Sequence, residues 1–362
     1  MKTILALLWA VLLIASCVSR PPKPTKHIET NVSILYQSNR EGEMASCGCH
    51  SHPFGGLDRE ANLLSQVRKQ QPHVIYVDSG NMLALEKPQH LDHARTKAKA
   101  LIEMFNVMGL DVFAPGPQDY LLGIDFLKDL STKAKYPFIS SNVFIEGKPV
   151  FQPYEIIERG GVKFGFFSAI PKESVANSKV TVHEPLGILN KTLQRLESQV
   201  DIVVLLSGLS SADNEKIGND EKTVHLIIGS AKNVVIENPY WFKGHSLLVD
   251  GEIRGMSLGK LDLELKLPFK GFYSMPIVEQ NLAALSYWET EREQGRAQAA
   301  NHYIDRIRRH KCLAPIEGGT VYTNALVDLD EKRFGAKNQI SALIKRYHQT
   351  VRTSAIENSR GK

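Results

Sequence analysis

Ile34-Leu-Tyr-Gln-Ser-Asn-Arg-Glu-Gly-Glu-Met-Ala-Ser-Cys-Gly-Cys-His-Ser-His-Pro-Phe-Gly-Gly56 joins an apolar run to a polar loop and closes on a glycine pair. This pattern predicts a buried strand whose C-terminal end delivers the loop to a site. Cys47, Cys49, His50 and His52 fall within six residues, a dense set of soft and borderline ligands suited to a transition metal. Gly55 and Gly56 then release the chain into a helical pattern over Leu57–Lys69.

The 362 residues suffice for one large domain or two, and 43% apolar with 23% charged residues is ordinary for a globular chain. The formal charge of +5 is spread along the sequence, which argues against a nucleic-acid partner. The N-terminus reads as a signal segment over residues 1–16: Lys2, then an apolar run too short to span a bilayer. It ends in Ile14-Ala15-Ser16-Cys17, which resembles a bacterial lipobox and implies lipid attachment at Cys17. Val18 after the cysteine favours the outer membrane, so the expected location is the periplasm-facing cell envelope, with the membrane and an envelope protein as partners. Residues 17–31, with Pro21, Pro22 and Pro24, read as a stiff tether. With Cys17 set aside, Cys47, Cys49 and Cys312 remain, an odd number that leaves a free thiol, a metal ligand or an intermolecular bond.

Further along, extended runs are expected at Val32–Gln37, His73–Asp78, Asp111–Ala114 and Tyr136–Val143. A hairpin is expected at Phe151–Glu158 and Val162–Ala169, because two such runs flank Gly160-Gly161. Ile202–Ser207, Val224–Gly229, Val234–Ile236, Ser246–Val249 and Ser257–Leu265 follow as strands. Helical spacing covers His90–Met108 and Leu186–Gln199, so the first half alternates strand and helix as α/β chains do. After Tyr273 the pattern turns helical over Met275–Arg309 and Ala336–Val351, around a short extended insert at Gly318–Asn324.

Several segments in order resemble the 5'-nucleotidase branch of the calcineurin-like metallophosphoesterases. They are Ile34-Leu-Tyr36, Gly55-Gly-Leu-Asp-Arg59, Val74-Ile-Tyr-Val-Asp-Ser-Gly80, Tyr136-Pro-Phe-Ile-Ser-Ser-Asn-Val143 and Pro153-Tyr-Glu-Ile-Ile-Glu-Arg-Gly-Gly-Val-Lys-Phe-Gly165. Val203-Val-Leu-Leu-Ser207, Leu226-Ile-Ile-Gly229 and Leu258-Gly-Lys-Leu-Asp-Leu263 complete the series. The resemblance implies an α/β (α+β) fold, a four-layer α/β/β/α sandwich over residues 32–272, followed by a helical C-terminal extension over 273–362. It also implies a site at the strand ends with two metal ions that activate a water.

The residues at the family's ligand positions do not supply that centre. Asn39 and Glu41 stand where the first strand should end in Asp-x-His, and Asn81 stands for the bridging aspartate. Gly116-Pro117-Gln118-Asp119 replaces Gly-Asn-His-Glu, Gly208 replaces a histidine, and Ser230-Ala231-Lys232-Asn233 replaces Gly-His-x-His. Amides, proline, glycine and alanine cannot provide the anionic and imidazole ligands of a dinuclear site, so a pseudoenzyme is expected. A divergent metal-dependent phosphoesterase that assembles a new site from Glu41, Asp78, Asp119 and the Cys47/Cys49/His50/His52 loop, or a structural scaffold, are the alternatives. Nucleotide-cleaving members carry a further base-stacking domain of about 200 residues. The roughly 95 residues after Lys266 read as helical instead, so nucleotide specificity is not expected.

The concentrated chemistry is the Cys47/Cys49/His50/His52 loop, which also resembles a group of exported relatives with Cys-Gly-Cys before the Gly-Gly helix. Three readings stay open: a Zn or Cu site, a redox thiol pair, or a tight structural turn or strained disulfide. Cys312 could add a ligand if the C-terminal region folds back, or be a lone packed thiol. The basic run Arg306–Lys311 reads as a solvated helix end, and His183 and His225 as satisfied core histidines.

Overall fold

The computed structural model describes residues 26–46, 53–175, 177, 179–221, 223–230, 239–242, 246–310 and 312–360. The signal segment, Cys17, most of the tether, the four loop ligands Cys47, Cys49, His50 and His52, Ala231 and the strand expected at 234–236 lie outside the described residues.

Among the described residues fifteen strands follow one another: β1 (Ile28–Gln37), β2 (Val74–Asp78), β3 (Val112–Phe113), β4 (Val143–Ile145), β5 (Lys148–Pro149), β6 (Tyr154–Arg159), β7 (Val162–Ala169), β8 (Val180–Val182), β9 (Ile202–Ser207), β10 (Leu226–Gly229), β11 (Tyr240–Phe242), β12 (Ser246–Asp250), β13 (Ser257–Leu267), β14 (Phe272–Tyr273) and β15 (Thr320–Asp328). One six-stranded sheet runs β14-β15-β13-β1-β2-β3, a second β11-β12-β10-β9-β7-β6, and a small third sheet β5-β4-β8.

Alternation along β1 explains how the sheets stack. Val32, Ile34 and Tyr36 face the second sheet and pack with Phe164, Phe166, Val204 and Ile228, whereas Leu35 points the other way, into the helices. Helices Leu57–Gln70, Leu91–Met108 and Gln339–Arg360 cover that outer face. Helices Pro185–Leu196 and Ser211–Asp220 cover the far face of the second sheet through Leu189, Leu193, Leu196 and Ile217. The result is the α/β/β/α sandwich, with strands β9 and β10 almost wholly apolar because both faces are covered.

Helices Ile124–Lys133 and Ser211–Asp220 have no counterpart in the sequence reading, and four further differences matter for the architecture. β1 begins at Ile28 and takes in the last four residues of the expected tether, because Ile28–Asn31 pair with Leu267–Glu264 of β13. The Tyr136–Val143 strand is shorter: Phe138 and Ile139 make only single bridges before β4 starts at Val143. The long helix expected at 275–309 is two, Met275–Glu293 and Ala297–His310, parted at Gly295, whose φ of 93° lies in the left-handed region. The extended insert near 318–324 is β15, an inner strand of the first sheet held along eight register pairs with β13. The C-terminal region therefore completes the sandwich. Its last helix is tied down by Asn338 Nδ2 to Asp58 O at 2.6 Å and by Tyr347 Oη against His93 Nε2 at 3.1 Å.

A chain ending at Tyr273 would leave β13 as an unpaired edge and strip a helix from the outer core. It is expected to be insoluble or to unfold without cooperativity in a denaturant titration. A soluble fragment with a single steep transition would contradict this arrangement.

Candidate functional site

β1 and β2 run parallel with Gln37 opposite Asp78, so the loops that leave them start side by side. Backbone pairing continues past the strand ends: Asn39 N–H donates to Gly80 O at 2.8 Å, Glu41 N–H to Asn81 O at 2.8 Å and Gly42 N–H to Met82 O at 2.9 Å. Asn39, Glu41 and Asn81 take φ of 48°, 56° and 57°, a left-handed conformation that asparagine tolerates better than most residues. Gly80 and Gly116 let two loops interlock. A Cβ on Gly80 would lie 2.8 Å from the Gly116 backbone, and one on Gly116 would lie 2.5 Å from Asn81 Oδ1.

At these strand ends opens a cleft of about 660 Å3, lined among others by Asn81, Pro117, Gln118, Gly208 and Ser230. The expected positions thus come together, with Ala231 outside the described residues. Glu41 joins through Gln118, whose Nε2 donates to its Oε1 at 3.4 Å.

The two asparagines bond to each other. Asn81 Nδ2 donates to Asn39 Oδ1 at 2.8 Å, Asn39 Nδ2 donates to Ser230 O at 3.2 Å, and Asn81 Oδ1 accepts the Gln118 N–H at 3.0 Å. All four amide heteroatoms are therefore engaged within the protein, and each amide oxygen already accepts one N–H. Pro117 and Gly208 offer no side-chain donor. Among the described residues no three or more His, Cys, Asp or Glu side chains gather in a metal-holding group. The side chains at these positions do not fit the dinuclear centre of the fold's hydrolases.

Two carboxyls lie beneath the cleft. Asp119 is fully buried and accepts N–H bonds from Leu83 at 2.7 Å, Asn81 at 2.8 Å and Gly116 at 2.8 Å, pinning the loop after β2 to the turn after β3. Burial outweighs those donors and raises its pKa to about 6. Asp78, also buried, accepts from Gly80 N–H at 2.8 Å, and burial pushes its carboxyl well above the usual carboxylate range. Both serve as loop anchors here, with the backbone as their partner.

The sequence reading missed the support under the first loop. Arg40, between Asn39 and Glu41, is 1% exposed and forms an ion pair with the fully buried Glu60 of helix Leu57–Gln70. Its Nε donates to Gln37 Oε1 at 2.9 Å and its Nη1 to Glu43 O at 3.1 Å; Tyr76 Oη donates to Glu60. No periodicity marks this network, because an arginine in a polar loop reads as exposed. The only available signal was the absence of a surface role for Glu60, which falls among the apolar positions of its helix.

The feet of the Cys/His loop are well defined. Ser46 bridges Gly55, Gly55 N–H donates to Leu329 O at 3.1 Å, and Leu57 N–H donates to Met44 O at 3.0 Å. Arg59 grips the carbonyls of Pro53 and Leu329. Cys312 is not beside those feet. It is buried next to Tyr322 with its Sγ donating to Ala314 O at 3.1 Å, and burial raises its pKa. From Tyr322 to Leu329 the strand covers roughly 20 Å, so Cys312 lies toward the other end of β15 from Leu329, whose carbonyl holds Gly55.

The remaining expectations divide. His225 is satisfied, its Nδ1 accepting from Val203 N–H at 2.9 Å, whereas His183 is exposed at the mouth of a groove and is not a core residue. In the basic run, Arg308 pairs with Glu289 at 2.7 Å and Arg306 reaches Tyr240 Oη at 3.4 Å.

No family model matches the chain. A 2',3'-cyclic-nucleotide 2'-phosphodiesterase/3'-nucleotidase of Haemophilus influenzae is 21% identical over 331 residues, covering 82% of this chain and 46% of that protein. The 5'-nucleotidase precursor of Thermus thermophilus superposes with a TM-score of 0.65 at 15% identity, over 90% of this chain and 59% of that one. The calcineurin-like phosphoesterase YfkN of Bacillus subtilis superposes with a TM-score of 0.61 at 17% identity, over 89% of this chain and 98% of that one. The chain spans about half the length of the curated relatives it matches, or less.

Folding raises the Asp119 pKa from 3.8 to about 6, so the folded chain holds that proton more tightly than the unfolded one. The stabilisation is complete below about pH 4 and is lost as pH rises through 6, on the order of 3 kcal/mol. Asp119→Asn is expected to remove that component, and stability measured by urea titration from pH 4 to 7 would show a changed slope relative to the parent; identical slopes would refute it. Glu60→Gln leaves the Arg40 charge buried and unpaired and is expected to cost about 3–5 kcal/mol. Arg40→Met/Glu60→Leu is expected to recover much of that loss in the same titration.

Proposed function

We propose that this chain, which has the fold of the 5'-nucleotidase branch of the calcineurin-like metallophosphoesterases and is similar to that branch in sequence, is a non-hydrolytic module of the bacterial cell envelope. Its strand-end cleft has exchanged a metal-held centre for a network of amides. Its chemistry lies in the Cys47, Cys49, His50 and His52 loop, whose thiolates and imidazoles suit Zn or Cu. Lipid at Cys17 holds it to the membrane, with the outer membrane favoured by Val18, and an envelope protein is its partner.

The observation that carries the loss of hydrolysis is the direct bond from Asn81 Nδ2 to Asn39 Oδ1 at 2.8 Å. Two carboxylates so placed would repel and would need a cation between them. Two amides satisfy each other, and the loops keep their shape with no ion bound. The loop reading is supported by its ligand types and by the fixed feet at Ser46 and Gly55, which define where those ligands leave and rejoin the fold.

Protein lacking the signal segment is expected to show no turnover of bis(p-nitrophenyl) phosphate with added Mn2+, and Glu41→Ala to change nothing. Elemental analysis is expected to find about one zinc or copper ion per chain, lost in Cys47→Ser/Cys49→Ser. Robust hydrolysis abolished by Glu41→Ala would establish the divergent phosphoesterase instead. Metal-free protein with two reactive thiols would establish the redox reading, and neither metal nor reactive thiol the scaffold. Cys17→Ser is expected to release the protein from the membrane fraction.

A further inference from the structure

A second concavity lies away from the strand-end cleft, between the β5-β4-β8 sheet and helix Pro185–Leu196, with a volume of about 350 Å3. That is the size of a small-molecule site. Lys191 and Arg195 stand four residues apart on the helix and so share a face. Both are exposed, and among the described residues neither has a carboxylate partner. Of the acids around them, Glu197, two residues beyond Arg195, accepts from Thr223 Oγ1 at 3.5 Å, Glu184 pairs with Lys172 at 3.2 Å, and Glu155 accepts from Gln152. The groove is thus left with two uncompensated cations.

Its other wall is aromatic. Tyr154 and Phe144 line it, and the His183 ring meets Phe144 edge to face with centroids 4.7 Å apart. This wall is fixed before any ligand arrives. Asn142 O accepts His183 N–H at 2.9 Å, Asn142 Nδ2 donates to His183 O at 3.0 Å, and Asn142 Oδ1 accepts Ile170 N–H at 3.1 Å. Ser141 is equally held, its Oγ accepting Ser168 N–H at 3.0 Å. A preformed wall spares the ordering cost of binding.

We propose that this groove binds a small oxyanion, phosphate or carboxylate, carried on a planar ring. The Arg195 fork meets two oxygens of the anion and Lys191 adds a point charge. The ring lies against Tyr154 and Phe144, where aromatic faces and edges attract. The site shares no lining residue with the strand-end cleft, so it stands or falls independently of the function proposed above.

Calorimetric titration of the full chain with phenyl phosphate, benzoate, inorganic phosphate and benzyl alcohol tests this. Phenyl phosphate or benzoate is expected to bind one per chain, more tightly than inorganic phosphate, with benzyl alcohol silent and affinity falling as salt rises. Lys191→Ala/Arg195→Ala, on an exposed helix face where alanine favours the helix, is expected to weaken binding about tenfold or more. Circular dichroism and the denaturation midpoint would show that the variant is folded. Absence of aryl-oxyanion binding at millimolar concentration would overturn the proposal. So would binding undiminished in the double variant, or binding abolished by Gln118→Leu in the other cleft.

Discussion

Everything at the strand ends depends on one constraint, the parallel pairing of β1 with β2 and its continuation into the loops beyond. Once Gln37 sits opposite Asp78, Asn39, Glu41 and Asn81 have little conformational choice. Their left-handed backbones, the interlocked glycines 80 and 116, and the triple anchor of Asp119 follow from that register. The backbone geometry of these loops is thus set independently of the side chains that face the cleft. Loop shape here is fixed by main-chain bonds and by buried carboxyls below, so the groups facing the cleft can change without collapse.

The buried Arg40–Glu60 pair shows the other half of that economy. Taking two charges out of water is costly, and the pair persists because Gln37, Tyr76 and the Glu43 carbonyl satisfy what remains. Its effect is to lock the chain between Asn39 and Met44 against the first turn of the helix Leu57–Gln70. The cleft and the feet of the Cys/His loop are therefore two ends of one rigid piece.

Much of the architecture was legible in the sequence, because strands covered on both faces must be apolar throughout. Ile202–Ser207 and Val74–Asp78 announce themselves that way. The positions of Asn39, Asn81 and Gln118 were legible through family resemblance, and the cleft gathers them. What the sequence hid was long-range pairing. Nothing local to Thr320–Asp328 says that it lies beside Ser257–Leu267, and an arginine in a loop carries no mark of burial. Cys312 was ambiguous for the same reason: which end of β15 it adjoins is set by pairing distant in sequence.

The insertion of β15 between β13 and β14 also orders events in time. The first sheet joins residues near 30 to residues near 265, and those in turn to residues beyond 320. During synthesis the N-terminal strand is made long before its antiparallel neighbour, and that neighbour before its own. The sandwich closes only when almost the whole chain is present, so its final assembly is a late event dominated by contacts distant in sequence, the class of topology that folds slowly.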